Sequence, residues 1–172
     1  LGRIGKIHLA NLQAMDEVEI VGICDPTDEA KVFSNKMGLT FYQKNYADIV
    51  NEIQTDAIVI CSPTDTHANY VSLAAKRGID VFCEKPLDLS LEKVKQVLKT
   101  VNESKIKLML GFNRRFDSEF QSLKEKLVKG EIGDIHMIKI TSRDPSPPPI
   151  NYIKTSGGIF LDMTLPDFDM IR

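Results

Sequence analysis

DAIVICSPTDTHANYVSLAAKRGIDVFCEK, residues 56–85, is the stretch that decides the fold. Its first run, 56–62 (DAIVICS), is short and rich in Val and Ile, the pattern of a strand buried on both faces. Residues 68–77 (ANYVSLAAKR) carry a helical pattern that stops at Gly78, and a second apolar run, DVFC, fills 80–83. Strand, helix and strand in so short a span predict parallel pairing through a right-handed crossover.

The same alternation extends outward. Residues 18–25 (VEIVGICD) read as an earlier strand. Ser90 is a good N-cap for an amphipathic helix covering 93–101, and 107–111 reads as the next strand. The expected architecture is therefore α/β, a doubly wound parallel sheet. After Asn113 the character changes: 117–129 look helical, 134–142 look like a strand, and Pro145, Pro147, Pro148 and Pro149 impose an irregular loop. Two domains are expected, 1–112 and the start of a second at 113–172. Both ends read as cut, since LGRIG resembles a strand-to-helix turn whose strand precedes Leu1, and Arg172 falls in a helical-looking segment. A central strand missing there would leave its neighbours with unpaired backbone groups.

Composition narrows the function classes. The chain of 172 residues is 42% hydrophobic and 27% charged with a formal net charge of -2, so no electrostatic pull toward nucleic acid or anionic lipid is expected. No apolar stretch approaches the roughly 18 residues of a membrane span. A cytoplasmic protein with a small-molecule ligand is the expectation. Cys24, Cys61 and Cys83 each lie in or beside a separate apolar run without the close pairing of a zinc site, and read as reduced, packed thiols with no metal.

Gly2, Arg3, Ile4 and Gly5 look like the second half of a G-x-G-x-x-G turn opening a helix over 6–15, where free N–H groups and the helix dipole favour a pyrophosphate. Asp25 lies 20 residues beyond Gly5 at the end of the next strand, the place of a carboxylate that accepts from ribose hydroxyls. Such an acid repels the extra phosphate of NADP, so NAD is the expected cofactor. A turn-forming role before Pro26 is the other reading of Asp25. Lys85 follows a buried strand directly, at the carboxyl edge where ligands of open α/β sheets bind, and a lysine there polarises a carbonyl or stabilises an alkoxide. A solvated surface lysine is the competing reading. His67 begins a helix at the same edge, with cofactor contact and a helix-start role both open.

The ordered set GRIG (2–5), Asp25, SPTDTH (62–67), EKP (84–86), GFNRRFD (111–117) and SGGIFLDMT (156–164) resembles the Gfo/Idh/MocA family of dehydrogenases, over essentially the whole chain. Within it, GFNRRFD with SRDPSPPPINYIK (142–154) looks most like the inositol 2-dehydrogenase type. The resemblance implies a Rossmann domain followed by an open, mostly antiparallel α+β sheet domain that forms dimers or tetramers. For the site it implies nucleotide contacts from Gly2, Arg3, Ile4, Gly5, Asp25, Ser62, Pro63, Thr64, His67, Glu84, Lys85 and Pro86. It also implies that Lys85 holds the reacting oxygen, that Asp162 orients a polyol, and that a His four residues later, on the same helical face, is the general base. Asn113 and Arg115 are expected at the substrate, with a salt bridge as the other reading of Arg115. Asp144 and its proline loop are expected over the pocket, or at a dimer contact.

The fourth residue after Asp162 is Pro166, which has no titratable group, while its neighbour Asp167 matches the family pattern. A base supplied elsewhere, an inactive relative that keeps the nucleotide, and a sequence error all remain open. His8 and His136 are expected to be ordinary packed or exposed residues.

Overall fold

The computed structural model describes residues 1–39, 41–154 and 156–172, with the side chains of Phe41 and Asn151 outside the description. It divides into two compact units, Leu1–Leu110 and Gly111–Arg172.

The first unit alternates helix and strand throughout: α1 (Arg3–Gln13), β1 (Gly22–Cys24), α2 (Asp28–Lys36), β2 (Phe41–Gln43), α3 (Tyr46–Glu52), β3 (Ala57–Ile60), α4 (Thr64–Lys76), β4 (Asp80–Cys83), α5 (Leu91–Ser104) and β5 (Leu108–Leu110). Every ladder is parallel. β1 pairs with β2 (Ile23 opposite Tyr42), and β3, β4 and β5 form a second sheet in that order, with Val59 opposite Phe82 and Phe82 opposite Met109. Among the described residues no strand joins β1 to β3. Caps set the helix starts: Thr27 Oγ1 accepts from Ala30 N, Asn45 Oδ1 from Ala47 N, and Ser90 Oγ from Lys93 N.

The expectation of strands buried on both faces is corrected. Val81 and Cys83 of β4 and Ile60 of β3 pack with Val71, Ala74 and Ala75 of α4 and Val97 and Val101 of α5, all in one core cluster. On the alternate positions Val59 and Met109 stay 38% and 45% exposed, so only one face of this sheet is deeply covered. Burial pushes the Cys24 and Cys61 thiols up to about 11 and Cys83 up to about 12, which keeps all three protonated and weakly nucleophilic at neutral pH.

In the second unit a 3-10 turn (Asn113–Phe116) precedes α6 (Ser118–Val128), capped by Asp117 Oδ1 accepting from Glu119 N and Phe120 N, and then the short helices α7 (Ile150–Ile153), α8 (Gly158–Asp162) and α9 (Leu165–Met170). The strand expected at 134–142 does not form. Those residues are exposed and, among the described residues, enter no ladder, without which an extended run is not a strand.

Candidate active site

α1 opens at Gly2, in extended conformation and with no side chain capping it, and its first turn holds no acid. The N–H groups there are left to an anion, as a pyrophosphate site requires. A Cβ on Gly2 would meet nothing within 4 Å, whereas one on Gly5 would sit 3.6 Å from the Cys61 Cβ, so Gly5 is where helix and sheet edge approach closely. Arg3 is exposed and Ile4 half-buried.

Asp25 follows β1 directly. Its Oδ1 accepts from Thr27 N (2.9 Å) and Thr27 Oγ1 (2.5 Å). The turn role weighed for Asp25 is thus present, and the same turn fixes the carboxylate at the strand's carboxyl end.

Two loops leave the carboxyl ends of β3 and β4, and His67 ties them together. It lies in the first turns of α4, 2% exposed, with Nδ1 2.7 Å from the Pro86 carbonyl and Nε2 2.8 Å from the Ser62 carbonyl. Ser62 Oγ meets Thr66 Oγ1 at 2.5 Å, and Thr66 Oγ1 donates to the Pro63 carbonyl, so 62–67 is a closed local network with Thr64 starting the helix. Glu84 extends β4 by donating its N–H to the Ile60 carbonyl, and its Oε1 takes His8 Nε2 at 2.7 Å. The His8 ring also meets Phe82 edge-on, with centroids 5.0 Å apart. His8, read as ordinary from sequence, therefore pins α1 to the residue beside Lys85. Its signal was its place one turn beyond Gly5, on the helix face turned toward the sheet.

In the second unit Arg114 donates to Asp167 Oδ1 and, at 3.2 Å, to Ser142 Oγ, while Arg115 donates twice to Asp169 at 2.6 and 2.7 Å. The salt-bridge reading of Arg115 is the one seen, and both pairs fasten the 3-10 turn to α9. The guanidinium of Arg115 is held further above its usual range by that carboxylate. Asn113 and Asp144 are exposed.

Asp162 ends α8, and α9 begins at Leu165 with Pro166 in its first turn, so the single helical face expected to carry positions 162 and 166 is corrected. Proline has no N–H to return to the carbonyl four residues back, and the helix restarts instead of running through. Tyr152 donates its phenol hydrogen to Asp162 Oδ1 at 2.9 Å. Gly157 and Gly158, at φ of 83° and 78°, turn the chain back between them in a conformation a side chain resists. Tyr152 was missed from sequence because it lies ten residues upstream in the proline-rich segment.

Parallel βα units with an uncapped glycine helix start and an acid after the next strand define a dinucleotide-binding domain. The chain belongs to the Gfo/Idh/MocA oxidoreductase family, whose NAD-binding Rossmann fold model matches residues 1–112. It is 44% identical to a myo-inositol 2-dehydrogenase of Thermotoga maritima, with 100% of this chain and 52% of that protein covered. With an inositol 2-dehydrogenase of Rhizobium meliloti it shares 45% over 99% of this chain and 52% of the relative. The crystal structure of scyllo-inositol dehydrogenase from Lactobacillus casei with bound NAD(H) and scyllo-inositol superposes with a TM-score of 0.92 at 32% identity, over 100% of this chain and 53% of that one. The chain spans about half the length of these relatives. Among the described residues no helix is long and apolar enough to cross a membrane, and no cluster of His, Cys, Asp or Glu is arranged to hold a metal.

Proposed function

We propose that the full-length protein is a cytoplasmic, homo-oligomeric NAD-dependent dehydrogenase that oxidises a ring hydroxyl of a cyclic polyol, inositol or a close relative, to a ketone. The observation that carries this is the junction at the sheet's carboxyl edge, where His67 and His8 tie the 62–67 loop, α1 and the Glu84-Lys85-Pro86 turn to one another. The polyol comes from the similarity to inositol 2-dehydrogenases at 44% and 45% identity.

NAD suits the residues present. The open start of α1 from Gly2 to Gly5 takes the pyrophosphate, Asp25 the adenosine ribose, and Ser62, Pro63, Thr64 and Glu84 to Pro86 the nicotinamide end. When bound, the nicotinamide supplies the hydride acceptor. Lys85 holds the substrate oxygen and offsets the negative charge that grows on it. Asp162 orients the polyol, with Asn113 and Asp144 as further contacts. Arg115, given to Asp169, serves by fixing α9.

Inositol-dependent reduction of NAD by the full-length protein, followed by nicotinamide absorbance, tests the reading; NAD binding with no turnover on any cyclic polyol overturns it. Pro166 favours one second reading, a relative that binds NAD and has lost catalysis, for which that same result is the expected one.

A further inference from the structure

We propose that Tyr42 is a positioning residue that sets the preference for NAD over NADP by holding the turn that carries Asp25, a role that rests on the reading of Asp25 as the acid at the adenosine ribose. Tyr42 lies in β2 opposite Ile23 of β1, and its phenol oxygen stands 2.7 Å from the carbonyl oxygen of Asp25 and 2.7 Å from that of Thr27. Carbonyls only accept, so the single phenol hydrogen is shared between the two. The next two residues also reach the turn: the Gln43 carbonyl accepts from Asp25 N at 3.0 Å, and Lys44 Nζ pairs with Asp28 Oδ1 at 2.7 Å.

These ties are unequal. Pro26, inside the turn, has no N–H to hold it from within. Thr27 N and Oγ1 both donate to the Asp25 side chain, which fixes the carboxylate within the turn but not the turn against the sheet. The Gln43 contact holds only the entry, and the Lys44 pair, with side chains 56% and 83% exposed, is a surface pair that contributes little. Among the described residues, the Tyr42 hydroxyl is the side-chain donor that grips carbonyls on both sides of Pro26. A ribose hydroxyl needs the carboxylate within hydrogen-bond reach, whereas the extra phosphate of NADP is repelled by a carboxylate that cannot turn away. Holding the turn therefore strengthens NAD binding and weakens NADP binding at once, while a general loosening of the fold weakens both alike.

The test titrates NAD and NADP calorimetrically into the full-length protein, Tyr42→Phe, Asp25→Asn and the double variant. Tyr42→Phe keeps the ring and removes the hydroxyl, and is expected to raise the Kd for NAD about fivefold, the factor of one ordinary hydrogen bond, with NADP bound no more weakly than by wild type. NADP binding at that strength also shows that the variant is folded. In the Asp25→Asn background, with no acid left to hold, the same change should alter the ratio of the two Kd values by less than about twofold. An unchanged ratio in Tyr42→Phe overturns the proposal, as does an equal change in both backgrounds, and either result leaves Asp25 at the ribose when Asp25→Asn alone narrows the preference. A preference that Asp25→Asn leaves untouched overturns the ribose reading and this proposal together. Wild-type protein that binds neither nucleotide overturns the dehydrogenase reading as well.

Discussion

The buried ring of His67 reaches the carbonyl oxygen of Pro86 at 2.7 Å while its other nitrogen stands 2.8 Å from Ser62, so one side chain joins the loops that follow β3 and β4. His67→Leu keeps the apolar volume and removes both contacts. With Pro86 buried, the carbonyl loses its partner where water does not replace it, and destabilisation of about 1–3 kcal/mol is expected. Urea unfolding of the full-length protein measures it. A midpoint equal to wild type would mean the two contacts contribute nothing to the fold.

Much of the first unit was legible because its signals are local. DVFC at 80–83 is β4 residue for residue, and Ser90 caps α5 as expected. The strand read at 18–25 shrinks to Gly22–Cys24, since only those residues find the β2 ladder, and pairing is not written in a single run. α2, β2 and α3 went unread: β2 is three residues long, and α2 and α3 are short. In the second unit the ladder expected at 134–142 failed for the same non-local reason. Asp25 and Lys85 stand just after β1 and β4 where the run of the sequence put them, whereas the Tyr152 to Asp162 contact joins residues ten apart through a glycine turn whose direction the sequence does not spell out.

NAD should bind more tightly than NADP. Asp25 is held after β1 by Thr27, with its carboxylate 13% exposed, and an added ribose phosphate would bring two negative charges together. Titrating both nucleotides checks it, and Asp25→Asn should narrow the gap. Equal affinities in the wild-type protein would remove Asp25 from the ribose.

Lys85→Ala is expected to lower kcat by at least about 10²-fold while changing the Kd for NAD little, because its charge matters most where the substrate oxygen becomes anionic. Steady-state kinetics beside nucleotide titration separates the two effects. Turnover that survives the substitution would make Lys85 an ordinary lysine at the sheet edge.

The two arginine pairs should differ in worth. Arg114→Ala leaves the buried Asp167, 8% exposed, without its partner; Arg114 itself is only half-buried, so a cost of about 1–3 kcal/mol is expected. Arg115 is 42% exposed, so solvent screens its side of the pair, but the Asp169 carboxylate is only 10% exposed and is held bidentately, so Arg115→Ala should cost about 1 kcal/mol, less than the Arg114 variant. Unfolding both variants beside wild type decides it, and a reversed order would show that Arg115 is the stronger clamp on α9.

Pro166→His tests where the proton goes. Pro166 lies in the first turn of α9, where a missing N–H is tolerated, so the substitution has no interior-proline strain of about 3 kcal/mol to relieve, and stability should change by less than about 1 kcal/mol. Any rate gain is then chemical rather than a by-product of folding. An imidazole acting there as base should add much of the about 10² to 10⁴ typical of general base catalysis. The introduced imidazole accepts a proton only when neutral, so the added turnover should rise with pH through roughly 6 to 7 and level off above. Kinetics of wild type and Pro166→His across that range, with unfolding midpoints alongside, give the answer. No gain, at unchanged stability and NAD affinity, would mean that position 166 does not face the carbinol.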